Sequence, residues 1–233
     1  MIANELLFQD CLGVVLAGGK SSRMGKDKAT LPHTLSQPLQ HSLQHTSQHS
    51  SQHKQQDMLS YSKSVLQGAG SSQVVISGDA HGVGDLISNI GPLGGIQSII
   101  NQFKPKALLI LPVDLPLMTA SELAKLKQIG ELSQSACFFT DNYLPLYLPV
   151  NAHVEQFFQQ LGSESSMQVA NAKTGSRGLK GPSVRSLLKQ VPYKEVQAKN
   201  SNSLFNTNTP EQWQQAQHLL SLSPSALKRK THV

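Results

Sequence analysis

Two short stretches of the chain, Leu12–Leu16 (LGVVL) and 107–111 (ALLIL), contain no polar side chain. A strand with one wet face alternates apolar and polar residues, whereas a strand covered on both faces has no need to. Such runs, spaced by helical patterns, predict an α/β chain with a mostly parallel sheet and helices on both faces. Further strands are expected at 73–77, 136–140 and 144–148. Helices are expected at 58–67, 92–103, 119–129, 154–161, 184–190 and 210–220. Thr119 or Ser121 is placed to cap the helix at 119–129. Thr209 is placed to cap the last, with Pro210 at its first position. The 233 residues suffice for one domain of this kind with its own core, so residues 1–233 are expected to form a single domain.

The segment 33–57 departs from this pattern. It is nearly all Gln, His, Ser, Leu and Thr, and it holds five of the nine histidines. A stretch so polar cannot bury enough apolar area to offset its ordering entropy, so it reads as a low-complexity insertion. On a helix, His41, His45, His49 and His53 would share one face and could bind a metal. No carboxylate or cysteine accompanies them, which favours a loop with incidental histidines.

Charge and cysteine usage narrow the function classes. The formal charge of +6 is concentrated in 20–28, in 173–189, and at Lys228, Arg229 and Lys230. That suits a phosphorylated substrate. Nucleic acid is the rival, but no nucleic-acid-binding signature is present, and aromatic residues are only 5% of the chain. Cys11 and Cys137 have neither metal nor redox spacing, which fits a reducing compartment. Acidic residues precede the first apolar run where a signal peptide would be basic, and no apolar stretch is long enough to span a bilayer. A cytoplasmic chain with no membrane association is therefore expected. His81, His153, His218 and His232 show no triad or metal spacing and are expected at the surface.

The strongest local signal is 16–28, LAGGKSSRMGKDK, directly after the first predicted strand. Gly18 and Gly19 allow a phosphate chain to approach the backbone closely, with the N–H groups of Leu16, Ala17, Gly18 and Gly19 directed at it. Arg23 and Lys28 supply fixed positive charge. The segment is not a P-loop: five residues separate Gly19 from Gly25, and Asp27 follows Lys26 where Ser or Thr is required. The dinucleotide pattern GxGxxG is also absent. Asp114 lies just beyond the second apolar run, between Pro112 and Pro116. Ligands of open α/β sheets bind beyond the carboxyl ends of strands, and a lone carboxylate there can hold Mg²⁺ alongside phosphate oxygens and water. A helix-capping role is the alternative.

The segment 16–28 resembles the signature loop of the nucleotidyltransferases that build sugar nucleotides and related diphosphates. Its LAGGKSSRMGKDKA form is most similar to the molybdenum cofactor guanylyltransferases. Three more segments support the narrower match, in the same order and spacing. Gly91-Pro92-Leu93-Gly94-Gly95 resembles that family's GPLAG, with Gly94 in place of the usual Ala. Pro112-Val113-Asp114-Leu115-Pro116 resembles its P-x-D-x-P. Asn206-Thr207-Asn208-Thr209-Pro210 resembles its N-x-N-T-P. The resemblance spans roughly 12–32 and 57–218.

The resemblance implies a three-layer, Rossmann-like nucleotidyltransferase fold and transfer of GMP from GTP to molybdopterin. It makes Asp114 the metal ligand, with Mg²⁺ as cofactor. It places Asn206 and Asn208 on the molybdopterin side. Guanine selection would fall to Asp79 or Asp85, because a carboxylate can accept from both N1–H and the exocyclic amine. Arg177, Lys180 and Arg185 could grip the acceptor's phosphate or remain on a surface loop. Cofactor-delivery and molybdoenzyme-maturation proteins are the implied partners. Alternatives are the same chemistry with CTP or on a sugar phosphate, and a non-catalytic protein that escorts nucleotide or molybdopterin.

Overall fold

A computed structural model describes residues 11–18, 27–33, 56–85, 91–171 and 182–222, with side chains for all of these except 164–171. In chain order the elements are β1 (Leu12–Leu16), α1 (Met58–Gly68), β2 (Val74–Ser77), α2 (Pro92–Phe103) and β3 (Ala107–Pro112). Then follow α3 (Ala120–Ser133), β4 (Ala136–Phe139), β5 (Asn142–Pro149), α4 (Ala152–Asn171), α5 (Val184–Leu188), β6 (Tyr193–Val196) and α6 (Pro210–Ser221). Two 3-10 turns, Lys28–Thr30 and Ser201–Leu204, lie in the connections.

The strands form one sheet of six in the order β2-β1-β3-β5-β4-β6. β1 is parallel to β2 and β3, and β4 is parallel to β6. β5 alone runs against its neighbours β3 and β4. The expected three-layer α/β arrangement is thus the observed one.

The apolar runs divide their side chains between two cores, as period-2 geometry requires. Leu12, Val14 and Leu16 of β1 join Leu108 and Ile110 of β3 on the face covered by α2, α4 and α5. Val15, Leu109 and Leu111 face the opposite layer, with Met58, Val65 and Leu66 of α1, Leu123 and Leu126 of α3, and Trp213 of α6. Leu109 is fully buried, and truncation to alanine there would cost about 2–5 kcal/mol from lost contacts and the cavity left behind.

Several helix starts are as the sequence dictates. Thr119, not Ser121, caps α3 by accepting from the Glu122 amide. Thr209 and Gln212 form a reciprocal capping box on α6, with Pro210 at its first turn. Asp57 caps α1, accepting from Ser60 N. Other boundaries differ. α4 runs to Asn171, ten residues beyond the expected end at 161. β6 falls outside the expected strands, because three of its four residues are exposed and leave no apolar run.

The two ends of the polar insertion are paired with each other. Pro32 pairs antiparallel with Asp57, His33 N donates to Gln56 O at 2.7 Å, and Met58 N donates to Leu31 O at 2.9 Å. His33, expected within the insertion, stacks on Tyr61 with ring centroids 3.6 Å apart. Its Nε2–H donates to the Pro116 carbonyl at 2.9 Å. His41, His45, His49 and His53 lie outside the described residues.

Candidate active site

The carboxyl ends of β1, β2 and β3 lie side by side, and the motif segments leave the sheet there. Val113 N donates to Leu16 O at 3.1 Å, which ties the loop after β3 to the end of β1. Ala17 N donates to Ser77 O at 2.8 Å, which ties β1 to β2. Two glycines permit close approaches at this edge. Gly78 has φ +145°, and a Cβ on it would lie 2.9 Å from Gly18 N. A Cβ on Gly95, in the first turn of α2, would lie 1.8 Å from Ser77 Oγ, so the helix meets the strand end only because that carbon is missing.

Lys28 is the hub. Its Nζ donates to Asn208 Oδ1 at 2.7 Å and to Asp114 Oδ2 at 3.3 Å. Both the lysine and the aspartate are largely screened from water, with side chains 15% and 19% exposed. A charge pair so placed is held more strongly than a surface pair. The backbone of Asp114 is held as well: Thr207 donates to its carbonyl oxygen through both N (3.0 Å) and Oγ1 (3.2 Å). Asn208 is fixed in turn, its N–H donating to Gln212 Oε1 at 2.7 Å. Segments from the beginning, middle and end of the chain therefore converge on one ammonium group.

Asp114 Oδ1 is buried and has no hydrogen-bond partner among the described residues. An orphaned carboxylate oxygen suits a bound cation or a donor on a ligand. Among the described residues, no cluster of three or more His, Cys, Asp or Glu could enclose a metal. A cation at Asp114 would thus be completed by substrate phosphate and water, which is how Mg²⁺ is commonly held.

The loop after β2 carries the other two predicted carboxylates. It folds back on its strand, with Val83 N donating to Ile76 O at 2.8 Å and Gly78 N to Val83 O at 2.9 Å. Asp79 is exposed, and its Oδ1 accepts from Asp85 N at 3.3 Å. Asp85 is half-buried and leans toward α2: its Oδ1 would lie 3.3 Å from a Cβ on Gly95. Burial, and secondarily the charge of Asp79, push the Asp85 carboxyl above its ordinary range.

Not every expected site residue joins this cluster. Leu16 is buried at the end of its strand. The Ala17 N–H, expected to face phosphate, is committed to Ser77; the parallel pairing of β1 with β2 continues through it. Among the described residues of the cradle, Gly18 is the exposed one. Asn206 is exposed, while Asn208 points into the cluster. Arg185 lies on α5 and is exposed. Gly19, Arg23, Arg177 and Lys180 lie outside the described residues.

Two participants lie beyond the sequence-based expectations. Thr207 sits inside a motif read for its asparagines. His81, expected to be a surface histidine, donates from Nε2 to Asp27 Oδ2 at 2.6 Å. Its partner is 54 residues away, and no local spacing announces such a pair.

Residues 13–176 match the MobA-like NTP transferase domain. The chain is 36% identical over 211 residues to a molybdenum cofactor guanylyltransferase of Xanthomonas euvesicatoria pv. vesicatoria (strain 85-10), covering 88% of this chain and 94% of that one. The fold is similar to the crystal structure of molybdopterin-guanine dinucleotide biosynthesis protein A from Archaeoglobus fulgidus, with TM-score 0.57, 17% identity, and 91% and 100% of the two chains covered. It is also similar to 2-C-methyl-D-erythritol 4-phosphate cytidylyltransferase from Thermus thermophilus, with TM-score 0.53, 12% identity, and 89% and 97% covered. The matched domain and the guanylyltransferase relative define the chain as a nucleotidyltransferase, and its fold agrees. The chain belongs to the MobA-like NTP transferase domain family.

Proposed function

We propose that the protein transfers GMP from GTP to the terminal phosphate of molybdopterin, forming the guanine dinucleotide cofactor and releasing pyrophosphate. The observation that carries this reading is Lys28 Nζ held between Asp114 and Asn208, beside an unpartnered Asp114 oxygen. The name of the Xanthomonas relative supports the choice of substrates.

An oxygen of the acceptor phosphate attacks the α-phosphorus of GTP in line. A bond forms from that oxygen to the α-phosphorus, and the bond to the bridging oxygen of the β-phosphate breaks. The nucleophile is already ionised at neutral pH, so no general base is needed, and positioning and electrostatics supply the catalysis. Lys28, with Arg23, offsets charge growing on the departing pyrophosphate. Gly18 and Gly19 offer close backbone approach to the phosphates. Asp114 would hold Mg²⁺, which neutralises phosphate charge when bound.

Asp85 is assigned to the guanine Watson–Crick edge: it leans toward α2, while Asp79 is spent in part on the Asp85 backbone. Asn208 and Asn206 are assigned to the acceptor side. The whole chain is read as one cytoplasmic transferase domain that exchanges its cofactor with delivery and molybdoenzyme-maturation proteins.

The test is pyrophosphate release by purified protein with GTP, Mg²⁺ and molybdopterin. One pyrophosphate per dinucleotide formed, with CTP a poor substitute, is the expected result. Equal use of CTP, or tight GTP binding with no pyrophosphate, would replace this reading with the cytidylyl or the escort alternative.

A further inference from the structure

Asp27 closes the phosphate-binding segment, and both its carboxylate oxygens are occupied. Oδ1 accepts from Ala29 N at 3.0 Å and so caps the 3-10 turn that carries Lys28. Oδ2 accepts from His81 Nε2 at 2.6 Å. His81 sits at the tip of the loop after β2, and its position there is fixed. Its own N–H donates to Gly78 O at 3.1 Å, and Ser77 and Val83 form a parallel bridge beneath it. Burial pushes the Asp27 carboxyl up, yet the bonds from His81 and from the Ala29 amide outweigh this and hold it below the usual carboxylate range. The pair is thus a charge-assisted hydrogen bond joining the Lys28 turn to the loop after β2, beyond the last sheet contact of Ala17 with Ser77.

We propose that His81 is a positioning residue for the nucleotide: its bond to Asp27 fixes the Lys28 turn relative to the loop of Asp79 and Asp85, so that the phosphate and base sites are presented to GTP as one rigid site. This rests on the reading that Lys28 meets phosphate and that the Asp79–Asp85 loop meets guanine. A ligand that spans two loops must order both at once. A ligand that touches one loop need not. A clasp between the loops lowers the ordering cost for the spanning ligand alone. His81 need touch no ligand atom for this to work.

That difference makes the role separable from direct contact and from mere stability. Calorimetric titrations would compare wild type and His81→Ala with three probes, all with Mg²⁺: GTP, guanosine and pyrophosphate. In His81→Ala, GTP affinity should fall about tenfold while guanosine and pyrophosphate stay within about twofold of wild type. In turnover, KM for GTP should rise by a similar factor with a much smaller change in kcat. His81→Gln, whose amide can still donate to Asp27, should recover most of the GTP affinity. Asp27→Asn, which keeps an acceptor for Ala29, should weaken GTP, and the double variant should be no weaker than His81→Ala.

Unchanged GTP affinity in His81→Ala overturns the proposal. So does an equal loss for guanosine or pyrophosphate, or an additive double variant. If wild type itself does not prefer GTP to CTP, the functional reading falls, and the clasp with it.

Discussion

Thr207 donates to the carbonyl oxygen of Asp114 through both its amide and its hydroxyl, at 3.0 and 3.2 Å across 93 residues of sequence. The final motif therefore holds the backbone of the Asp114 loop, while its neighbour Asn208 reaches Lys28. Thr207 is 1% exposed, so its hydroxyl has little access to water if the bond is lost. Thr207→Val removes the hydroxyl bond and keeps the amide bond. A loss of about 1 kcal/mol of unfolding free energy is expected, read as a lower urea midpoint at unchanged slope. Turnover should fall with it, since the Asp114 carboxylate rides on the same loop.

Asp114 and Lys28 should fail in different ways. Asp114→Asn keeps the shape and removes the charge that would hold a cation. Loss of GMP transfer by about 10³-fold or more is expected, with the fold intact by circular dichroism. Lys28→Met removes the ammonium group at the centre of the cluster and leaves Asp114 without its partner. About 10²- to 10³-fold slower transfer is expected, together with reduced thermal stability, which Asp114→Asn should not show to the same degree.

Asp85→Asn tests base selection. The amide presents a donor where guanine also presents one, so GTP should weaken by about 1–3 kcal/mol in titrations while CTP binding changes little. Asp79→Asn should do less, because its side chain faces solvent and the Asp85 amide.

His33 introduces a pH dependence. Burial lowers its imidazole below the ordinary value of 6.5, partly offset by the bond to Pro116. The unfolded chain then binds a proton more readily than the folded one. This costs nothing above the unfolded value and accrues as pH falls from about 6.5 toward the folded value. Urea midpoints measured between pH 7.5 and 5 should decline, and the decline should be shallower in His33→Gln, which cannot take up that proton.

Cys11 lies at the head of β1 among apolar side chains, where burial pushes its thiol up to about 12. Cys137 on β4 is fully buried, and burial raises its thiol as well. Neither should be alkylated by iodoacetamide at pH 8 in the folded protein. Both should react once it is unfolded in urea, as mass spectrometry can count.

Much of this arrangement is legible without coordinates. The runs at 12–16 and 107–111 announce doubly covered strands because both faces are buried, and the motif order places Lys28, Asp114 and Asn208 in one site. The rest is hidden for physical reasons. β6 exposes Tyr193, Lys194 and Glu195, so burial leaves no trace in its composition. The clasp of His81 to Asp27 joins residues far apart in sequence, and a lone histidine carries no periodicity. Ala17 reads as free to bind phosphate because sheet pairing beyond a strand's last residue cannot be seen in the sequence.

The pairing of 31–33 with 56–58 makes those six residues the hairpin stem, whatever joins its ends. Twenty-two residues, 34–55, occupy the place of a turn. A shorter connection costs less closure entropy, about 0.6 kcal/mol for each halving of its length, so replacing them with Asn-Gly should leave the enzyme at least as stable. The same stem offers a port where a foreign peptide could be grafted beside the Asp114 loop, through His33 and its grip on Pro116, without rebuilding the sheet.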